Sequence, residues 1–495
     1  MNEQHLRREV RAFVAEQVRD HGVVLECDAW LSGFNRQFTL AMGARGWLGM
    51  TWPAEYGGQG RTERERLIVN EELLAAGAPV AAHWIGDRQS GPSILKHGTE
   101  EQKRRFLPAM ARGECLFAIG MSEPESGSDL ASVRTTGRRD GEHWVINGTK
   151  LWTSGAHEDD YAITLVRTAP LDPSARHTGL SQFIVDLHAP GVTINPILML
   201  DGGHHFNEVV FDEVRLTDAD LLGQEGDGWK QVTSELAYER SGPERFLTTF
   251  PLLAAVAARS DGTSAELGVT IAELTTLRAM SAQVAEALQR GQAPAVEAAL
   301  VKDLGTRFEG RVIDLARRAH PGEVDPDSDD DLVRHLAHST VHSPGFTLRG
   351  GTNEILRGIV AKAIPAGPPP PAGEIAEALG GLTSSVDVFD ASGRWSPDQS
   401  RALLKRVLAD GWHRVGLPEE LGGQGGDLAE AAEIAGAVVG SPSPLGDVVM
   451  TAAHVLRRSG LVLPDDAELV VVAPSRHAAR VPWASWASHV LVPSA

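Results

Sequence analysis

The chain of 495 residues has only two cysteines, Cys27 and Cys115, so it cannot build a disulfide framework. Such scarcity is typical of proteins that fold in a reducing cytoplasm, which is where we expect this one. No apolar run approaches the length that crosses a membrane, and the charged first residues do not resemble a signal peptide. The sequence therefore predicts a cytoplasmic protein with no membrane partner.

Basic residues are also in deficit, with 46 lysines and arginines against 66 acidic residues and a formal net charge of −20. This excess of negative charge disfavours binding to nucleic acid or to anionic lipid. A hydrophobic content of 42% is ordinary for a globular protein. Because 495 residues exceed what one hydrophobic core usually supports, we expect several domains.

The residue pattern changes twice along the first three quarters of the chain. Residues 1–113 have helical spacing, including a capping box at Thr99 and Gln102 in a helix that Pro108 is predicted to stop. Residues 114–222 contain short β segments, namely HWVIN, YAITLV, SQFIVD, GVTIN and FNEVVF. Residues 223–365 return to helical spacing. The order of elements is therefore helical, then β, then helical.

The last quarter begins with a proline-rich linker, AGPPPPAG, at residues 366–373. An internal repeat follows, since GWLGMTWPAEYGGQG from Gly46 recurs as GWHRVGLPEELGGQG from Gly411. We interpret residues 374–495 as an incomplete second copy of the first part of the chain. It has no counterpart of the motif described next, so we assign it no cofactor.

Two segments of the β region have the chemistry of a ring-binding site. The first, FAIGMSEPESGSDL, runs from Phe117 to Leu130 and turns sharply at its proline and glycine. The second, KLWTSG, starts at Lys150 and follows Asn147-Gly148, which we predict to be a hairpin turn that places Trp152 on the return strand. An aromatic ring beside hydroxyls and amides suits a flat cofactor. The alternative is a half-buried hairpin with Trp152 in the core.

Together these segments resemble the flavin-binding pair of the acyl-CoA dehydrogenase family. The resemblance implies an α+β fold with an N-terminal helical domain, a central β-barrel or sandwich and a C-terminal four-helix bundle. It also implies an FAD cofactor, an acyl-CoA substrate and an electron-transfer flavoprotein or similar acceptor. The residues it places around the flavin are Ile119, Met121, Ser122, Gly127, Ser128, Trp152, Thr153 and Ser154, and Ser128 would also approach the thioester.

The resemblance locates the catalytic base less directly. Many members of the family have a glutamate in a Tyr-Glu-Gly-Thr loop, but here the string is RGGT and Gly350 takes that position. A subset places the glutamate on the first helix after the β domain, before an arginine, which selects Glu239 followed by Arg240. Glu235 and Glu244 are the rivals that the sequence alone leaves open. Pro243 should distort the helix beside Glu239, because it cannot donate a main-chain hydrogen bond.

The glycine loop keeps a role under the same resemblance. The main-chain N–H at Gly350 would donate to the thioester oxygen, so Gly350, Gly351 and Arg240 are expected to contact substrate. Thr352 would cap the last helix, and Thr352, Asn353 and Glu354 would direct its N-terminus toward the flavin.

The region from Phe250 to Phe346 lacks the family segments that reach the adenosine half of a neighbour's flavin. Bacterial dehydrogenases of steroid side chains share this feature and pair unlike subunits or fuse two copies. We therefore expect a homo- or hetero-oligomer. A flavin monooxygenase or oxidase of the same fold, and a non-catalytic partner subunit, are the competing interpretations.

Two weaker patterns suggest metals but are better explained otherwise. Asp325, Asp327 and Asp329 resemble the start of a calcium loop without its glycine and final glutamate. His335, His338 and His342 could share a helix face, but no carboxylate is in register with them, so we predict a polar surface. No metal is expected.

Overall fold

The computed structural model describes residues 3–240 and 242–363 and two short strands, Val470–Val472 and His489–Leu491; of residues 235–240 it describes the backbone alone. The chain divides into two units, residues 1–364 and 365–495. In the second unit the two strands pair in parallel. The predicted linker and repeat otherwise lie outside the described residues, so both remain predictions.

The N-terminal part of the first unit is helical. Its helices are α1 (Glu3–His21), α2 (Arg36–Ala44), α3 (Glu63–Ala76), α4 (Ala81–Ile85), α5 (Gly91–His97) and α6 (Glu100–Ala111), with a π-helical turn at Gly86–Ser90. The capping box predicted at Thr99 and Gln102 is confirmed at the start of α6. The prediction that Pro108 stops this helix is wrong, because α6 continues to Ala111. Arg104, whose carbonyl loses its partner there, is exposed and can bond to water instead.

The central part is one eight-stranded, mostly antiparallel sheet. Its strands are β1 (Phe117–Gly120), β2 (Thr136–Asp140), β3 (His143–Lys150), β4 (Tyr161–Arg167), β5 (Leu180–Asp186), β6 (Val192–Leu198), β7 (His204–Leu216) and β8 (Leu221–Leu222). They lie in the order β6-β7-β3-β2-β4-β5-β8, with β1 parallel to β4. The five predicted β segments therefore all form strands.

The prediction that Asn147 and Gly148 form a hairpin turn is wrong, because both residues lie inside β3. The turn into β3 comes earlier, between Asp140 and His143. At Asn147 the pairing of β3 with β7 shifts register, and the Asn147 amide bonds to Glu213, donating to its carboxylate and accepting from its N–H. Gly148 has φ of 147°, and a Cβ there would lie 2.5 Å from Thr135 Oγ1. The Asn-Gly pair is thus a bulge that bends the strand.

The C-terminal part is again helical. Its helices are α7 (Gly228–Arg240), α8 (Phe250–Arg259), α9 (Ala265–Gln289), α10 (Ala295–Ala319), α11 (Asp331–Phe346) and α12 (Asn353–Ala363). Among all the helices of residues 3–240 and 242–363, none combines the length and apolar character that a membrane crossing requires. The predicted α+β fold is confirmed for the first unit.

One hydrophobic core joins the N-terminal helices to the C-terminal helices. Phe13, Phe38 and Trp47 belong to the same buried cluster as Phe308 and Phe346. The sheet has a separate core around Trp144 and Phe183. Side chains of the three parts also meet directly, since His342 of α11 contacts Asp28 of the N-terminal part and Asp201 between β6 and β7.

Candidate functional site

The first segment forms a tight turn at the end of β1. Glu123 and Ser126 exchange main-chain hydrogen bonds of 2.8 and 3.1 Å, which close the turn. Gly127 and Ser128 beyond it are exposed. Ile119, Met121 and Ser122, which were predicted to face a flavin, are half-buried. The turn therefore presents main chain and hydroxyls at the surface of the sheet.

A buried ion pair fixes this turn to the second segment. Lys150 Nζ donates to Glu123 Oε1 at 2.7 Å and to the Met121 carbonyl at 3.1 Å. Glu123 also accepts from the N–H groups of Arg134 and Thr135. Burial would raise the pKa of Glu123, but Lys150 and these donors leave it lowered, whereas burial lowers the pKa of Lys150 to about 8. The pair is ionic at neutral pH.

The second segment leaves β3 in a strained conformation at Trp152. Its φ is 63°, and 54% of the residue is exposed, although Phe206 meets its ring edge-on at 5.5 Å. Leu151 N–H donates to the Ser122 carbonyl at 2.8 Å, which joins the two turns. Trp152 therefore does not lie in the core, and the alternative of a core tryptophan is wrong.

The residue after Trp152 tests whether the turns fit a flavin. Thr153 is held at both ends of its main chain by Asn207, whose carbonyl accepts from its N–H at 3.0 Å and whose amide donates to its carbonyl at 2.9 Å. Its hydroxyl is buried and has no hydrogen-bond partner among the described residues. Ser154 is half-buried beside it. An exposed aromatic ring next to an unsatisfied hydroxyl fits a polar-edged ring such as isoalloxazine.

The glycine loop before α12 has two consecutive left-handed residues. Gly350 has φ of 73° and Gly351 has φ of 89°. A Cβ on Gly350 would lie 2.7 Å from Nη2 of Arg245 and 3.0 Å from its Cζ. At the position where many family members have a glutamate, this chain thus has a glycine against a buried guanidinium.

The three residues predicted to direct α12 toward a cofactor are placed differently from one another. Glu354 is exposed, and Thr352 Oγ1 accepts a long 3.4 Å hydrogen bond from Ile355 N–H at the first turn. Asn353 is only 2% exposed, because its amide bonds to Lys302 and Thr306. The side chain of Asn353 therefore points into the protein, and its role at the cofactor stays a prediction.

The acidic residues proposed as base lie at the end of α7 and just after it. α7 ends at Arg240, so the helix stops before Pro243 rather than being distorted by it, and a 3₁₀ turn, Pro243–Arg245, follows. The side chains of Glu235, Glu239 and Arg240 lie outside the described residues. Glu244 is fully buried and contacts the guanidinium groups of Arg88 and Arg245. Two cationic neighbours make Glu244 part of an internal ion cluster.

The comparison with known proteins agrees with these features. Models of the N-terminal, middle and C-terminal domains of acyl-CoA dehydrogenase match residues 1–114, 118–214 and 255–364. The acyl-CoA dehydrogenase FadE29 of Mycobacterium tuberculosis is 35% identical over 72% of this chain and 95% of its own length. The chain belongs to the acyl-CoA dehydrogenase family. It is therefore a flavoprotein oxidoreductase.

Other relatives of this dehydrogenase agree with that assignment. The acyl-CoA dehydrogenase IpdE1 of M. tuberculosis is 36% identical over 73% of this chain and 97% of its own length. The structure of the Tcur3481-Tcur3483 steroid acyl-CoA dehydrogenase (ACAD) aligns with a TM-score of 0.64 and 30% identity, over 73% of this chain and 96% of that one. The ChsE4-ChsE5 complex from M. tuberculosis aligns with a TM-score of 0.61 and 32% identity, over 72% and 96%.

The prediction that the α11 histidines form a polar surface is wrong for this dehydrogenase. His335 and His342 are buried, and His342 bridges two carboxylates: Nδ1 lies 3.0 Å from Asp28 Oδ2 and Nε2 lies 2.8 Å from Asp201 Oδ2. Burial would lower the pKa of His342, but the two carboxylates leave it raised. His338 lies close enough to His342 and Asp201 for a metal, but both ring nitrogens of His342 already have partners. We assign no metal to this group.

Several residues that shape the site were missed by the sequence analysis. Lys150 and Glu123 are part of the two motifs themselves, so the motif spacing was a usable signal for their pairing. Lys302, Asp28 and Arg349 had no such signal, because their contacts span tens to hundreds of residues.

Proposed function

We propose that this dehydrogenase uses FAD to remove the α- and β-hydrogens of an acyl-CoA thioester and forms the trans-2-enoyl-CoA. The observation that supports this most strongly is the exposed Trp152 in a left-handed conformation, joined to the Ser122 turn by a main-chain hydrogen bond. Ile119, Met121, Gly127, Ser128, Thr153 and Ser154 would complete the flavin contacts. FAD, when bound, accepts the β-hydrogen as hydride.

The remaining roles fall to residues at the end of α7, in the loop before α12 and in the turn after β1. Glu239 would take the α-proton, because Gly350 has no side chain to do so and Glu244 is held between two arginines. The Gly350 N–H would donate to the thioester oxygen, where negative charge develops as the proton leaves. Ser128, Arg240 and Gly351 would line the path of the thioester, and Glu354 and Thr352 would lie toward the cofactor.

The acyl group and the assembly are proposed from the relatives. One structural relative is a steroid ACAD and another is a two-component complex, so we propose a steroid side-chain thioester as substrate and a hetero-oligomer as the working assembly. An electron-transfer flavoprotein or similar protein would reoxidise the flavin. The missing adenosine-binding segments favour this assembly, because an adenosine half without protein donors is held weakly.

The experiment is a visible spectrum of the purified chain, followed by a dye-linked assay with straight-chain, 2-methyl-branched and steroid side-chain acyl-CoA thioesters. We expect flavin absorption and turnover of at least one thioester. We also expect less than one flavin per chain without a partner subunit, and more when one is supplied. Protein without flavin under either condition would favour a non-catalytic subunit, and flavin that reacts with oxygen but with no thioester would favour an oxidase.

A further inference from the structure

The glycine loop is held by a buried lysine. Lys302, on α10, is completely buried. Its Nζ donates to the carbonyl of Thr347 at 3.2 Å, to the carbonyl of Gly351 at 2.8 Å and to Asn353 Oδ1 at 2.8 Å. All three acceptors belong to residues 347–353, so one cation ties both ends of the loop to α10.

The same loop is also held by a buried carboxylate. Asp28 accepts two hydrogen bonds from the Arg349 guanidinium, at 2.9 and 2.5 Å, and is 2% exposed. It has an unusual left-handed φ of 61°, and its N–H is fixed by the Thr248 carbonyl at 3.1 Å. The Arg349 guanidinium also lies over the Trp30 ring at 4.8 Å. Arg349 directly precedes Gly350, so its paired hydrogen bonds to Asp28 fix the main chain one residue from the Gly350 N–H that is predicted to donate to the thioester.

Two adjacent glycines give this loop more conformational freedom than any other pair of residues could. A donor that stabilises a developing oxyanion is effective only if its direction is set before the reaction. Nothing in a Gly-Gly pair sets that direction. The order must therefore come from neighbours, and the two buried clamps at Lys302 and at Asp28–Arg349 are where the structure provides it.

We propose that Lys302 and the Asp28–Arg349 pair are positioning residues that hold the Gly350–Gly351 main chain in the shape needed to polarise the thioester. The proposal depends on the proposed function, since it assumes that Gly350 N–H meets the thioester oxygen. It assigns to these three residues no contact with substrate. These residues act by positioning the loop, so losing them should slow α-proton removal more than it weakens thioester binding.

The test uses the complete enzyme with its flavin and the thioester that reduces the wild type fastest in the panel above, with hydrogen or deuterium at Cα. Lys302→Met and Asp28→Asn keep side-chain size and remove the donor or the charge. Glu71→Gln is the matched control, because Glu71 is a buried carboxylate of the same helical core that pairs with Arg7 and Arg278 and has no hydrogen bond to the loop.

We expect flavin reduction at saturating thioester to slow at least ~10-fold in Lys302→Met and Asp28→Asn, since loss of one oxyanion donor costs about 10² or more. The α-deuterium isotope effect should rise, and thioester affinity should change less than about twofold. Glu71→Gln should lower the melting temperature without altering either rate or isotope effect.

Two results overturn the positioning role: rates and isotope effects that stay at wild-type values in the folded variants, or an equal change in Glu71→Gln. If Lys302→Met does not fold, Asp28→Asn and Arg349→Lys decide the question alone. A wild-type flavin that no thioester reduces would instead overturn the proposed function.

Discussion

Placing a side chain on Gly350 should harm this enzyme even when that side chain restores the common glutamate of the family. The strain at this position has two parts. A non-glycine residue at φ of 73° costs about 1–2 kcal/mol. A Cβ 2.7 Å from the Arg245 guanidinium must displace a group that is 2% exposed and lies over Trp30, which adds about 1–3 kcal/mol.

Gly350→Ala should therefore lower the free energy of unfolding by about 2–5 kcal/mol. Gly22→Ala is a matched control, because Gly22 has φ of 64° and no atom within 4 Å of an added Cβ. Gly22→Ala should lower the free energy of unfolding only by the penalty for a positive φ, about 1–2 kcal/mol. Urea unfolding of the two variants measures the difference, which isolates the contact with Arg245.

Gly350→Glu should also fail to raise turnover while Glu239 is present. The new carboxylate would lie beside Arg245 and would be held as an ion pair, and two carboxylates near one α-carbon repel each other. The dye-linked assay measures this outcome. Turnover of Gly350→Glu above wild type, or equal stability of Gly350→Ala and Gly22→Ala, would show that Arg245 does not restrict this position.

Three further substitutions test the turn of the first segment, the buried core and the proposed base. Lys150→Met should destabilise the protein by about 3–5 kcal/mol and lower flavin content, because it leaves the Glu123 carboxylate buried and unpaired; urea unfolding and the flavin absorbance measure both. Glu309 has a pKa raised by burial to about 8, so the folded state binds the extra proton and loses stability as pH rises from about 4.5 to about 8; in Glu309→Gln that loss should disappear from melting curves taken across this range. Glu239→Gln should reduce turnover by at least ~10² while flavin stays bound, and wild-type turnover in that variant together with a loss in Glu235→Gln would move the base one helical turn back.

The regular elements and the flavin motifs were predictable because their signals are local. Strands β3 to β7 follow from short β-favouring runs between turn residues. The turn predicted at Asn147-Gly148 was wrong because the same dipeptide is common in two-residue turns and in bulges. Only the register shift between β3 and β7 distinguishes the two structures.

The clamps on the glycine loop were not predictable, because they depend on tertiary contacts. Asp28 and Arg349 are 321 residues apart, and no periodicity links them. His342 has the spacing of a polar helix face, yet α11 packs so that Asp28 and Asp201 reach it from two other parts of the fold. Helical spacing describes one helix and carries no information on what packs against it.

The proposed dehydrogenation is tested by mixing the purified, flavin-loaded protein with acyl-CoA thioesters in the absence of oxygen and following the flavin absorbance. We expect at least one thioester to bleach the flavin and to be recovered as its trans-2-enoyl derivative, two hydrogens lighter. A flavin that stays oxidised with straight-chain, branched and steroid side-chain thioesters alike would contradict the proposed dehydrogenation.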